Sequence, residues 1–268
     1  MCLAAFALNA DPRFPVVIAA NRDEFFARPA APMAWWRAGE VDVLAGRDLQ
    51  AGGTWFGLTR AGRLALLTNV REPERQRPDA PSRGALVLDW LTRTEPAAAF
   101  AASLAQGYNG FNLITAEPGD GPWHWISNRA PAPVPVLLGP GVHGLSNAAL
   151  DTPWPKTEGL KADLARALAV SADEEALVDR LFAALARPEP APDAQLPDTG
   201  VGLLRERLLS PRFVRIPHPD DPGRARYGTR CSTVLVRHAD GRVLVAERSV
   251  TADGSWLPAV VHRLPAQR

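Results

Sequence analysis

Cys2 is one of only two cysteines in this 268-residue chain, and it stands directly behind Met1. Removal of that single methionine would leave a residue carrying a thiol and a free α-amine on one Cα. Their ordinary pKa values, about 8.5 and about 8, are close enough for the amine to accept the thiol proton. Nucleophile and base then share one residue, a compact form of the pairing that covalent catalysis uses. The same position also suits a small packed residue opening a strand, because free cysteine is among the most buried residue types. The other thiol, Cys231, runs on into Ser232-Thr233-Val234-Leu235-Val236 and reads as a core residue.

The densest polar cluster near the start is Asn21-Arg22-Asp23-Glu24, which follows Val16-Val17-Ile18-Ala19-Ala20. If the first two strands pair antiparallel, the end of the second returns beside the start of the first. An arginine there would stabilise a Cys2 thiolate, and a carboxylate would orient the ammonium. The cluster equally fits a solvated end of a hairpin. Asn69 and Asn147 each end an extended run and supply the amide donor that an oxyanion hole needs, or the amide that a turn favours. Arg230, in Tyr227-Gly228-Thr229-Arg230-Cys231, suits carboxylate binding or thiolate support, and also an ordinary surface position. His143 beside Gly144 reads as structural. The histidines have no metal-ligand spacing, and there is no phosphate-loop or dinucleotide glycine fingerprint. Eight tryptophans serve core packing first, with an apolar pocket as their other use.

The elements that must position these residues follow from the hydrophobic pattern. Cys2 to Leu8 and Val16 to Ala20 read as strands joined by the turn-forming Asn9 to Pro15. Thr54 to Thr59 and Leu64 to Thr68 flank Arg60-Ala61-Gly62 as a second hairpin. Ala85 to Leu91 and Ala97 to Leu104 are predicted helices, the latter started by Pro96. Strands return at Phe111 to Thr115, Trp123 to Ile126 and His143 to Ser146, with Pro131 to Val136 as loop or edge. Leu160, Leu164, Ala167 and Leu168 keep helical spacing. Ser171 with Glu174 gives a capping-box pattern, and Leu177, Val178, Leu181, Phe182 and Leu185 follow on one helix face before Pro188. Residues 188–198 read as an exposed loop. Ser232 to Val236 and Val243 to Ala246 close the chain around Ala239-Asp240-Gly241. Strands, two helix pairs and strands again indicate one α+β domain over residues 1–268, with helices covering sheets.

Composition narrows the function classes. A net charge of +1 argues against nucleic-acid partners, and 46% apolar residues is ordinary for a globular chain. No apolar run reaches the roughly 18 residues of a membrane helix. The N-terminal run lacks a basic flank and breaks at Asn9-Ala10-Asp11-Pro12, unlike a signal peptide. Two distant cysteines do not form a disulfide framework, so the chain is expected in the cytoplasm with reduced thiols.

Taken together, Met1-Cys2-Leu3 and Asn21-Arg22-Asp23-Glu24 resemble the NRDE family, bacterial relatives of the eukaryotic transport and Golgi organisation 2 proteins. Gly46-Arg47-Asp48, Gly52-Gly53-Thr54-Trp55-Phe56-Gly57, Thr68-Asn69-Val70-Arg71, Tyr108-Asn109-Gly110-Phe111-Asn112-Leu113, Gly144-Leu145-Ser146-Asn147 and Gly228-Thr229-Arg230 are in family order. The layout is also similar, more distantly, to cysteine N-terminal-nucleophile hydrolases such as penicillin V acylase and bile salt hydrolase. That resemblance implies a four-layer αββα sandwich. It also implies a linear amide or thioester substrate, attacked by Cys2 with no metal or organic cofactor. Arg22 and Asp23 would set the ionisation of Cys2, Asn69 and Asn147 the oxyanion, and Arg230 the late arginine. The acylases carry Arg-Asn-x-Asp in the second strand. Residue type therefore favours Arg22 and Asp23, whereas spacing favours Asn21 and Glu24. The eukaryotic relatives imply an alternative on the same fold, a non-catalytic carrier whose ligand is haem or an acyl-CoA.

Overall fold

The computed structural model describes residues 2–104, 107–129 and 134–266. In chain order the strands are β1 Cys2–Leu8, β2 Val16–Phe25, β3 Ala30–Ala38, β4 Val41–Asp48, β5 Phe56–Thr59 and β6 Leu64–Asn69. Helices α1 Gly84–Thr92 and α2 Ala97–Ser103 precede β7 Phe111–Ala116, β8 Trp123–Ser127, β9 Val136–Leu137 and β10 Gly141–Leu145. Then come α3 Pro155–Val170, α4 Glu174–Leu185, α5 Leu203–Leu208, β11 Arg215–His218, β12 Asp221–Arg237, β13 Val243–Ser249 and β14 Val260–Leu264. The fold is α+β. The chain sorts into two compact units, each a sheet with helices on one face.

The first unit takes the chain up to Ala27 and the segments Pro140–Ser146 and Leu150–Ala266. Its sheet runs β10-β1-β2-β12-β13-β14, with β11 added on β12. The β1–β2 connection is tight because Asn9 adopts a left-handed φ of 47° and its N–H donates to the Pro15 carbonyl. Side chains alternate across a strand. Leu3, Ala5, Ala7, Val17, Ala19, Val234, Val236, Leu244 and Ala246 accordingly form one apolar face. That face packs on Leu160, Leu164, Leu177, Leu181 and Leu185 of α3 and α4. Pro155 opens α3, where its missing N–H costs nothing. The expected capping box is corrected here. Asp173, not Ser171, is the N-cap of α4, its side chain accepting from the Ala176 N–H at 2.9 Å. Ser171 instead closes α3, donating its N–H to the Ala167 carbonyl.

The second unit comprises Arg28–Gly139 and Asn147–Ala149. Its sheet runs β3 to β9 in sequence order. α1 and α2 cover it through Leu86, Val87, Trp90 and Phe100, with the Trp90 and Phe100 rings edge to face at 5.2 Å. The Gly52-Gly53 pair is architectural. Gly52 has a φ of 77°, and a Cβ on Gly53 would lie 2.5 Å from the Gly84 carbonyl carbon. β3 and β4 were not anticipated from the hydrophobic pattern. Of the proline-rich stretch, Pro131 to Pro133 lie outside the described residues, and Val136 forms part of a two-residue edge strand. No helix of the described residues is long and apolar enough to cross a membrane.

Candidate functional site

β2 lies between β1 and β12, and the register of those two pairings builds the site. Cys2 stands opposite Arg22, and Arg22 stands opposite Cys231 on its other side. Directly paired residues share a face. Cys2, Arg22 and Cys231 therefore form a row on the sheet face that turns away from α3 and α4. The next row on that face is Ala4, Ala20, Thr233 and Glu247. The register separates Asn21 from Arg22 within the tetrapeptide. Asn21 pairs with Leu3 and points to the helices, where its amide donates to the Leu185 and Arg212 carbonyls at 2.9 and 2.8 Å. Glu24 lies two residues beyond Arg22, and its carboxylate accepts from the Phe25 N–H.

Asp23 acts on Cys2 in two ways. Its backbone N–H donates to the thiol, and its negative charge opposes ionisation. The carboxylate itself is held by the Thr229 hydroxyl at 2.7 Å, and that hydroxyl in turn accepts from the Val214 N–H. Arg230 occupies a bulge in β12, the residue skipped between Thr229 and Cys231. Its guanidinium donates to the Phe25 carbonyl at 2.8 Å and lies over the Phe26 ring. A bulge re-aims a side chain that regular alternation would place elsewhere.

The two thiols differ. Cys2 is partly exposed, while Cys231 is buried. Burial pushes the Cys2 thiol up from its ordinary range, with Asp23 adding to the rise and Arg22 opposing it. Cys231 is pushed up much further, by burial and then by the Glu247 carboxylate, to which its thiol also hydrogen-bonds. Burial, and then the neighbouring Arg22, pull Arg230 down, so two guanidiniums share this end of the sheet. The Ser146 hydroxyl holds the Cys2 carbonyl at 3.1 Å. A thiol beside an arginine, with a backbone donor aimed at its sulfur, can act as a nucleophile once a base removes its proton.

Cys2, Arg22, Asp23 and Arg230 thus come together in the first unit, and Asn69 and Asn147 come together in the second. Asn69 ends β6 half-buried. The Asn147 amide nitrogen donates to the Asn69 carbonyl at 2.8 Å, and the Asn147 carbonyl accepts from the Arg71 N–H at 2.8 Å. Asn112 adds a donor to the Ala148 carbonyl. Asn147 therefore ties its loop to the end of β6. His143 is structural: its ring stacks on Phe6 at 5.4 Å and meets Asp151 at 3.1 Å. Among the described residues no grouping of three His, Cys, Asp or Glu side chains is arranged to hold a metal ion.

Sequence reasoning missed Glu247. It is 1% exposed, and it accepts from Thr233 as well as from Cys231. Its signal was available. An acid directly after the apolar run Val243 to Ala246, at strand spacing, has no solvated place to go.

An α+β protein with a thiol–arginine row at a sheet end is what the fold and site define. The sequence profile of the Transport and Golgi organisation 2 family matches residues 1–252, and the chain belongs to that family. It is 37% identical to the Bos taurus Transport and Golgi organization protein 2 homolog, over 93% of each chain. It is 34% identical to the Homo sapiens homolog, again over 93% of each. Among solved structures, a Caenorhabditis elegans N-acylethanolamine-hydrolyzing acid amidase ortholog superposes with a TM-score of 0.47 at 13% identity. That superposition covers 88% of this chain and 92% of that one.

Proposed function

We propose that this protein is a cysteine hydrolase of the N-terminal-nucleophile type, acting on a linear amide or thioester without metal or organic cofactor. The observation that carries the reading is the register Cys2–Arg22, which sets the thiol of a partly exposed residue beside a guanidinium and under the Asp23 N–H. A thiol of ordinary pKa is protonated near neutral pH and needs a base, and the α-amine freed by loss of Met1 is the base within reach. The amine takes the proton from Sγ, and the thiolate attacks the carbonyl carbon. Negative charge develops on the carbonyl oxygen, and Asn69 is the proposed amide donor to it, braced by Asn147. The amine then returns the proton to the leaving nitrogen as the C–N bond breaks, leaving a thioester on Cys2. Water, deprotonated by the same amine, releases the acid. Arg22 favours the thiolate, Asp23 orients the ammonium, and Arg230 binds negative charge on the substrate.

A second reading is favoured by the same raised thiol. With Met1 retained, Cys2 is a weak nucleophile, and the chain would serve as a carrier for haem or an acyl-CoA. Intact mass, before and after native iodoacetamide treatment, separates the two. The hydrolase reading expects loss of Met1 and fast alkylation at Cys2, abolished by Cys2→Ser and untouched by Cys231→Ser. In a screen of amides and thioesters, Cys2→Ser should lower turnover by about 10³-fold or more. Retained Met1 with inert Cys2, together with saturable haem or acyl-CoA binding that survives Cys2→Ala, would replace the hydrolase reading with the carrier.

A further inference from the structure

We propose that the groove between α3 and α4 is a binding site for a small, free, phosphorylated anion, separate from the Cys2 site. It encloses about 240 Å³ and is lined by Asp163, Arg166, Val170, Arg180 and Arg187 over a floor of small residues. One carboxylate stands against several guanidiniums. Asp163, only 11% exposed, meets Arg212 at 2.6 Å and Arg166 and Arg187 at 3.1 Å each. Arg212 is committed elsewhere as well, since it donates to the Ala184 carbonyl and so caps the C-terminal end of α4. Arg166 and Arg187 are different. Each guanidinium has five N–H donors, of which the contact with Asp163 uses few. Arg180 forms no ion pair among the described residues, and the positions three and four away on α4 are Ala176, Leu177, Ala183 and Ala184.

The charge is local. The whole chain carries only +1, so an excess of positive charge in one groove is not a by-product of a basic protein. Asp163 acts as an internal anchor that holds mutually repelling guanidiniums close together. An added anion would relieve that repulsion further. Arginine forks match phosphate oxygens in pairs, which lysine does not do. Size selects within that chemistry. The groove lies below the roughly 300–1,000 Å³ of sites that enclose drug-sized ligands, so it fits a phosphate or pyrophosphate group rather than a long acyl chain.

The test is calorimetric titration of pyrophosphate into the full chain at low and at raised salt. Saturable one-site binding that weakens with salt is expected. Arg180→Gln with Arg187→Gln should weaken it by at least about tenfold. A control that removes the same charge elsewhere, Arg37→Gln with Arg60→Gln, should stay within about twofold. Cys2→Ser should bind as tightly as the parent, which keeps this test independent of the hydrolase reading. Arg180→Gln alone, on an exposed helix face, serves if the double variant fails to fold. Equal loss in groove and control variants would overturn the site, as would the absence of saturation. Binding to phosphatidic acid vesicles but not to pyrophosphate would overturn the free anion as its ligand.

Discussion

The two faces of the first unit's sheet use buried polarity in opposite ways. On the face covered by α3 and α4, Asn21 and Ser232 are both about 1% exposed. The Ser232 hydroxyl donates to the Asn21 side-chain oxygen Oδ1 at 2.6 Å, and the Asn21 side-chain N–H groups donate to two backbone carbonyls. One residue further along β2, the other face carries Arg22 between two thiols, with Glu247 in the neighbouring row. The helix face directs its polar atoms to a carbonyl at the end of α4 and to one in the loop between α5 and β11. The other face gathers charge and sulfur, and one of its two cysteines is only partly buried. Buried polarity that ends on backbone is architecture. Buried polarity that ends on ionisable side chains sets pKa values, and that is the raw material of a reactive site.

Breaking the architectural side should have the largest effect. Asn21→Leu leaves the Ser232 hydroxyl and the Leu185 and Arg212 carbonyls short of a partner. At about 1–3 kcal/mol for each stranded group, partly recovered by water, a loss of about 3 kcal/mol is expected. Urea denaturation with an unchanged m-value would measure it. A loss below about 0.5 kcal/mol would mean that Asn21 is not the tie described. The charged face should respond less to an isosteric change. Glu247→Gln keeps its size and an acceptor oxygen but weakens the contacts with Thr233 and Cys231, which should cost about 1–2 kcal/mol. It should also bring the Cys231 thiol back toward its ordinary range, because the Glu247 charge is part of what raises it. Alkylation of Cys231 in mild denaturant, followed against pH, would show that shift. An unmoved profile would mean that burial alone governs this thiol.

The strands that build the site were legible from sequence because they are long apolar runs with a clear turn between them. Cys2 to Leu8 and the Val16 run read as strands from their apolar pattern, and pairing them sets the Asn21-Arg22-Asp23-Glu24 cluster beside Cys2. What was not legible was which face each member of Asn21-Arg22-Asp23-Glu24 takes. That depends on a register of single residues, and two arguments from residue type and spacing pointed opposite ways. β3 and β4 escaped because their pattern is not regular. Pro32, Trp35, Trp36 and Arg37 leave β3 mostly half-exposed, without clean alternation. Ser171 misled because a serine three residues before a glutamate is a sound N-cap pattern, yet Asp173 is nearer the helix and its carboxylate is the stronger acceptor. Asn147 was visible as a conspicuous amide, whereas its bond to the Asn69 carbonyl depends on two segments 78 residues apart in sequence.

The smallest predicted effect also belongs to the architectural side and turns on the sign of a titration. Glu174, at the first turn of α4, meets Arg263 at 2.6 Å and His238 at 2.6 Å. Burial raises its pKa, but those partners outweigh it and hold the carboxyl below its ordinary value. A carboxyl depressed in the folded state adds stability that is fully present above the unfolded Glu range. That stability is lost as the pH falls through the folded value. Arg263 is largely exposed, so the contribution is screened and stays below about 1 kcal/mol. Glu174→Gln should therefore be slightly less stable than the parent at neutral pH. The gap should narrow progressively as acid protonates Glu174 in the parent. Paired urea melts from pH 7 down to pH 3 would follow it. A gap that stays constant to low pH would mean that Glu174 acts through packing or hydrogen bonding at the start of α4, not through its charge.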